Sequence, residues 1–163
     1  MVMGPVQRVE ALLQEVMDPE LPFLNVVEMG MIKGVKEMSS GHIRVLLSPT
    51  YSGCPATDFI KEDVERVLRQ VDPAGVVEVV LTPAWSTDDL APSARQKMAE
   101  NGIAPPESRK GDKGFLTGDV HRVPCPRCKS ENTEMVSAFG STACKAHFKC
   151  LDCLEPFDHF KCL

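Results

Sequence analysis

Six of the seven cysteines in this 163-residue chain lie at or beyond Cys125, and four of them fall into two pairs. CPRC at 125–128 and CLDC at 150–153 are Cys-x-x-Cys knuckles with 21 residues between them. Two residues between thiolates let one tight turn aim both sulfurs at a single ion. Two such turns on facing hairpins supply the four tetrahedral sulfurs that zinc prefers. Cys125, Cys128, Cys150 and Cys153 are therefore the predicted metal ligands. A closed four-thiolate site in a short ribbon points to one structural zinc per chain, although a rubredoxin-like iron fits the same sulfurs. Cys144 and Cys162 remain as possible additional ligands. The alternative makes Cys144 a small buried residue and Cys162 an exposed terminal thiol. His147 and His159 could each replace a thiolate, but beside four well-spaced cysteines they read as surface or packing residues.

The seventh cysteine, Cys54, stands alone in TYSGCPA. Pro55 suits the first position of a helix, which would put Cys54 at or near its N-cap. Free N–H groups and the positive end of the helix dipole stabilise a thiolate there, while the carboxylate of Asp58 would oppose the effect. An inert packing role is the competing reading. His42 is the only histidine in this half of the chain and lies one strand earlier, so a Cys–His catalytic pair is unsupported. Asp18 and Glu20 flank Pro19 in MDPELP, where a turn with solvated carboxylates competes with acid–base chemistry.

These groups need elements to position them. Val6, Val9, Leu12, Leu13 and Val16 recur at helical spacing over 5–17. Segments 31–38 and 42–48 read as strands joined by a hairpin turn. Phe59, Ile60, Val64, Val67, Leu68 and Val71 define a second helix, VVEVVLTP a third strand, and DDLAPSARQKMAENG a third helix. The order αββαβα predicts an α+β domain with a small mixed three-stranded sheet and helices packed on it, over 1–103. Residues 104–119, rich in Pro, Gly and mixed charges, read as a linker, and 120–163 as a small zinc-ribbon β module. About 45 residues cannot bury an adequate core, so a metal would substitute for one.

Composition narrows the function classes. The net charge is −5, all of it in the first 118 residues (17 acidic, 12 basic), while 119–163 balance six against six. Neither part offers the basic face expected of a nucleic-acid binder. No apolar run reaches membrane-spanning length and the N-terminus lacks a signal-peptide core, so a cytoplasmic location, with reduced thiols, is expected. There is no Glu-x-x-His di-iron set, no GxGxxG fingerprint and no P-loop lysine.

Taken together, DPELP…NVVEMGMI, the hairpin, and SPTYSGCPA opening a helix resemble the domain of unknown function 59 (MIP18-like) family, associated with iron–sulfur cluster assembly. The tail CPRCKSENTEMVSAFGSTACKAHFKCLDCLEPFDHFKC resembles the D-subunit family (PaaD/PaaJ type) of bacterial phenylacetyl-CoA epoxidase systems. His159 stands where that family's pattern has Tyr. The resemblance implies an accessory or maturation subunit of a ring-epoxidising oxygenase in aerobic phenylacetate catabolism. Its partners would be an iron–sulfur flavin reductase and the other oxygenase subunits. It implies that Cys54, Asp18 and Glu20 form the cluster-handling motif and that the four knuckle cysteines hold the ribbon metal. One thiolate cannot hold an iron–sulfur cluster, so a homodimer or a partner would complete a transient site. The competing implication is a direct structural or catalytic subunit of the oxygenase.

Overall fold

The computed structural model describes residues 3–106 and 122–161. Cys162 and most of the expected linker lie outside the described residues. The chain divides into two compact units, Met1–Trp85 and Ser86–Leu163.

In the first unit, α1 (Pro5–Leu13) opens with proline at its first position, and the Gln7 side chain accepts the Gly4 N–H. Its Val9 and Leu13 are buried. The helix is four residues shorter than the 5–17 periodicity predicts. Tighter bonds, Gln14 N–H to Ala11 and Glu15 N–H to Leu12, close its end. The chain then reverses, with Met17 bridging Asn25 and the Val26 N–H reaching the Val16 carbonyl. Strands β1 (Ile32–Glu37) and β2 (Ile43–Leu47) form the expected hairpin, and β3 (Val76–Val79) pairs with β2 in parallel. The sheet order β1-β2-β3 is thus mixed, as the element order required. Between β2 and β3 runs α2 (Thr57–Leu68).

Period decides burial here. Ile43, Val45 and Leu47 alternate into the core from β2, and Ile60, Val64, Val67 and Leu68 are the buried stripe of α2. Each such side chain contributes about 1.5–3 kcal/mol on burial. Phe59 breaks the predicted apolar set, because its position on α2 leaves it 67% exposed. Two glycines are required by the backbone. Gly30 has φ 68° just ahead of β1, a conformation that favours glycine. At Gly75 a Cβ would lie 2.9 Å from Leu68 Cγ and 3.0 Å from the Ile43 carbonyl oxygen, so only hydrogen lets the α2–β3 turn approach β2.

The second unit begins with a 3-10 turn (Thr87–Asp89) and α3 (Pro92–Glu100). Its sheet has the order β4-β7-β6-β5, built from β4 (Ile103–Ala104), β5 (Thr133–Ser137), β6 (Lys145–Cys150) and β7 (Pro156–Phe160). The third helix, read from sequence as part of a 1–103 domain, falls in this unit. Ala104, read as the first linker residue, is a strand residue paired with His159. Ala104, Val123, Cys125, Ala146, Phe148, Cys150 and Phe157 form the unit's core. Phe148 stacks on Phe157 at 5.8 Å, and the ring of the buried His159 meets Phe148 edge-on while its Nδ1 lies 3.1 Å from the Ala104 carbonyl.

Candidate functional site

The ribbon's two knuckles occupy turns that mirror each other in bonding. Cys125 N–H donates to the Ser130 carbonyl at 2.9 Å, and Cys150 N–H donates to the Glu155 carbonyl at 2.9 Å. The residue after each second cysteine takes a left-handed conformation, Lys129 with φ 63° and Leu154 with φ 64°. These turns bring the four predicted sulfurs together, all within 4.8 Å of one another. Cys125 Sγ lies 3.7 Å from Cys153 Sγ, and Cys128 Sγ 3.5 Å from Cys150 Sγ. A tetrahedron with zinc–sulfur bonds of about 2.3 Å has edges of about 3.8 Å. The donor set therefore fits a four-coordinate thiophilic ion. Cys125 and Cys150 are buried, Cys153 is half-buried and Cys128 is exposed.

Local N–H groups divide the thiols electrostatically. The Cys153 N–H, 3.5 Å from Cys150 Sγ, followed by the Asp152 N–H, brings Cys150 down to about 7 against its burial. The Glu155 N–H pulls Cys153 the same way, but burial and the neighbouring Cys128, Cys150 and Cys125 sulfurs push it up to about 12. Four adjacent thiols cannot all ionise alone. A dication resolves this, and it supplies the charge that makes all four thiolates stable ligands.

Residues between and after the cysteines lace the knuckles together, and sequence reasoning missed them. Asp152, inside CLDC, accepts bonds from the Ser130 hydroxyl and from Asn132 Nδ2, the latter at 2.7 Å. These two donors hold its carboxyl below the ordinary range. Arg127, inside CPRC, pairs with Glu155. Both partners, Ser130 and Glu155, lie two residues past the opposite knuckle's last cysteine, the spacing signal that could have found them.

Cys144 stands outside the four-thiol set. It is buried, with its Sγ 3.0 Å from Thr142 Oγ1. His147 Nδ1 lies 3.2 Å from Asp158 Oδ1, and Asp158 Oδ2 accepts the Ser141 hydroxyl at 2.7 Å. Burial works against this carboxylate, but Ser141, His147 and the charge of Lys145 hold its pKa low.

In the first unit, Cys54 is half-buried. Its N–H donates to the Tyr51 carbonyl at 3.1 Å, and its own carbonyl accepts the Thr57 N–H at 3.2 Å. The N-cap of α2 is Ala56, so Cys54 sits two residues before the cap, in the turn that leads into it. The sequence reading puts it at or near the cap by taking Pro55 as the first helical residue. Pro55 instead occupies the preceding turn.

Asp18 has a defined structural task. It is 6% exposed, and its Oδ1 accepts the backbone N–H groups of Glu20 and Leu21, each at 2.8 Å. Its own N–H donates to the Leu24 carbonyl at 2.8 Å. Glu20 is half-buried on the same loop. Asn25, which composition alone does not single out, repeats the device. Its Oδ1 accepts the N–H groups of Val27 and Glu28, while Nδ2 reaches Gln14. Trp85, 4% exposed, donates its ring N–H to the Met29 carbonyl at 2.7 Å and anchors the far end of that loop.

The relatives of this chain divide along the same line. Residues 6–81 match the family model of an iron–sulfur cluster assembly protein, and residues 109–161 that of the PaaD zinc beta ribbon domain. The chain is 41% identical over 160 residues to the Escherichia coli (strain K12) protein assigned as the D subunit of 1,2-phenylacetyl-CoA epoxidase, covering 97% of this chain and 93% of that one. It belongs to the PaaD family. The first unit alone has relatives of its own. An Fe–S protein maturation auxiliary factor from Porphyromonas gingivalis (strain ATCC BAA-308 / W83) is 36% identical over 89 residues, covering 53% of this chain and 84% of that one. The crystal structure of a domain of unknown function 59 from Bacillus anthracis superposes with a TM-score of 0.51 at 28% identity, covering 58% of this chain and 91% of that one. The α+β class and the C-terminal ribbon expected from sequence are both present. Among the described residues no helix is long and apolar enough to cross a membrane.

Proposed function

We propose that this chain is an accessory subunit of a phenylacetyl-CoA ring-epoxidising system, assisting assembly or delivery of an iron–sulfur cluster to a redox component of that system. The observation that carries the reading is the 41% identity running through both units to the Escherichia coli epoxidase protein, with a first unit matched to an iron–sulfur assembly family. The ribbon metal is structural, because its four ligands come from one chain and leave no position open. The cluster is cargo, and Cys54 is the thiol that handles it. Asp18 serves by fixing the loop through two backbone N–H bonds, with Glu20 on its rim.

One thiol per chain leaves the cargo site incomplete. A client cysteine or a second copy would supply the remaining ligands during transfer. The natural client is an iron–sulfur flavin reductase. The chain works in a reducing compartment such as the cytoplasm, where Cys54 stays a thiol.

The test is to express the reductase with wild-type chain, with Cys54→Ala, and without the chain, then measure its iron and labile sulfide. Wild-type chain should raise cluster content, and Cys54→Ala should not, while retaining one zinc. Equal cluster content in all three preparations would refute the reading. A second reading makes the chain a permanent structural or catalytic component, and the relative's assignment as part of the epoxidase itself favours it. Turnover of fully loaded partner proteins that still depends strictly on this chain would select that reading instead.

A further inference from the structure

The two knuckles are joined by two side-chain braces that run in opposite directions. The third residue of each Cys-x-x-Cys reaches across to the residue two past the other knuckle, Arg127 to Glu155 and Asp152 to Ser130. Asn132 adds a second bond to Asp152, and the Leu151 N–H donates to the Asn132 carbonyl at 2.8 Å. The braces differ in charge. Asp152 sits between Cys150 and Cys153, and the next N–H along the chain, that of Cys153, lies 3.5 Å from the Cys150 sulfur. Fixing its carboxylate therefore fixes an N–H aimed at a ligand. Arg127 stands between Cys125 and Cys128, and its bond to Glu155 carries its cation across to the second knuckle. A four-thiolate site holding a divalent ion carries two net negative charges, and a guanidinium beside it offsets part of them.

We propose that Asp152 and Arg127 are positioning residues for the ribbon metal, one setting the spacing of the two knuckles and the other offsetting the charge of the thiolate set. The braces connect parts of the chain 20 to 28 residues apart, so they can hold the sulfurs in ligand register before a metal arrives. This assigns to four polar side chains a task that a solvated, exposed ion pair would not perform. All four are exposed or half-buried, so their loss leaves the unit's core of Val123, Phe148 and Phe157 untouched.

The experiment uses the full chain, with zinc affinity measured by competition against a chromophoric chelator and ligand geometry read from the absorption bands of the cobalt-substituted protein. Asp152→Ala and Arg127→Ala should each weaken zinc binding about 10- to 100-fold, the range found for groups that orient metal ligands. Asp152→Ala should also shift the cobalt ligand-field bands, because Cys150 loses a fixed N–H partner. Arg127→Lys, which keeps the charge, should recover most of the affinity lost in Arg127→Ala. Glu155→Gln, able to keep the bond to Arg127, should weaken binding less than Arg127→Ala. If Asp152→Ala fails to fold even with metal, Asp152→Asn and Glu155→Gln carry the test, with Asp152→Asn expected between wild type and Asp152→Ala. Affinities within about twofold of wild type and unchanged cobalt spectra for folded variants of both braces would overturn the proposal, since orienting groups act at 10-fold or more. Equal loss in Arg127→Lys and Arg127→Ala would overturn the charge assignment.

Discussion

The two units treat cysteine in opposite ways. In the ribbon, four thiols converge within 4.8 Å, each knuckle repeats the same backbone bonds, and side chains lace one knuckle to the other. In the first unit, Cys54 is one half-buried thiol in a turn, held through its backbone N–H and carbonyl. The ribbon is a complete ligand set that closes on its ion. The Cys54 turn holds a single thiol, which on the proposed reading suits a group that must be taken up and passed on. Under the proposed function, closure gives stability and incompleteness permits transfer, so one chain would hold one metal permanently and another transiently.

The sharpest way to break this contrast is to remove a ribbon ligand. Cys125→Ser should abolish zinc binding and, with it, the fold of the ribbon strands, because a small metal-dependent unit draws its folding free energy from the ion. Backbone amide NMR should show the ribbon signals collapse while those of the first unit persist. A large effect of the opposite kind comes from the first unit's core. Leu47→Ala, at a fully buried position on β2, should cost about 2–5 kcal/mol in chemical denaturation yet leave zinc content at one per chain. Gly75→Ala comes next, at about 1–3 kcal/mol, since its Cβ would press on Leu68 and on the Ile43 carbonyl.

A smaller effect is set by pH. Asp72 accepts the Ile43 N–H at 2.7 Å and lies 3.2 Å from His42 Nδ1, and the Ile43 bond leads the groups that hold its pKa below 3.8. A carboxyl depressed in the folded state stabilises it fully above the unfolded value. That contribution is lost as pH falls below 3.8 through the folded value. Asp72→Asn should therefore flatten the acid limb of the first unit's stability and leave its behaviour at neutral pH with a small uniform loss. A wild-type acid limb in that variant would show that Asp72 does not set it. The smallest change in stability belongs to Cys54→Ala, under about 1 kcal/mol, although it should have the largest functional consequence.

How much of this is legible in the sequence depends on range. The knuckles are readable because Cys-x-x-Cys is a local geometric constraint, satisfied within one turn. The mixed sheet follows from the alternation Ile43, Val45, Leu47 and from the single helix between β2 and β3. Phe59 belongs to the apolar set that marks the second helix, but a helix face has width, and Phe59 lies outside its buried stripe of Ile60, Val64, Val67 and Leu68. The end of α1 comes earlier than the pattern suggests, because Val16 keeps the apolar period while the pairing of Met17 with Asn25 pulls the chain out of the helix. The position of Cys54 relative to the cap shifts because Pro55 is as compatible with the preceding turn as with the first helical residue. Placement of α3 with the ribbon sheet rests on the two-residue pairing of β4 with β7, across more than fifty residues, which no local pattern announces. The knuckle braces are easy to miss, since Asp152 and Arg127 read singly as solvated charges and only the matched spacing of Ser130 and Glu155 past the two knuckles points to them.

The most direct test of the division of labour is anaerobic reconstitution of the full chain with ferrous iron and sulfide, comparing wild type with Cys54→Ala. Zinc is measured by mass spectrometry, and cluster by absorption and labile sulfide. Wild type should keep one zinc per chain and gain sulfide-dependent absorption that bleaches in air, while Cys54→Ala should keep the zinc and gain none. Equal cluster absorption in Cys54→Ala, or cluster formed only at the expense of the ribbon zinc, would contradict the assignment of cargo to Cys54.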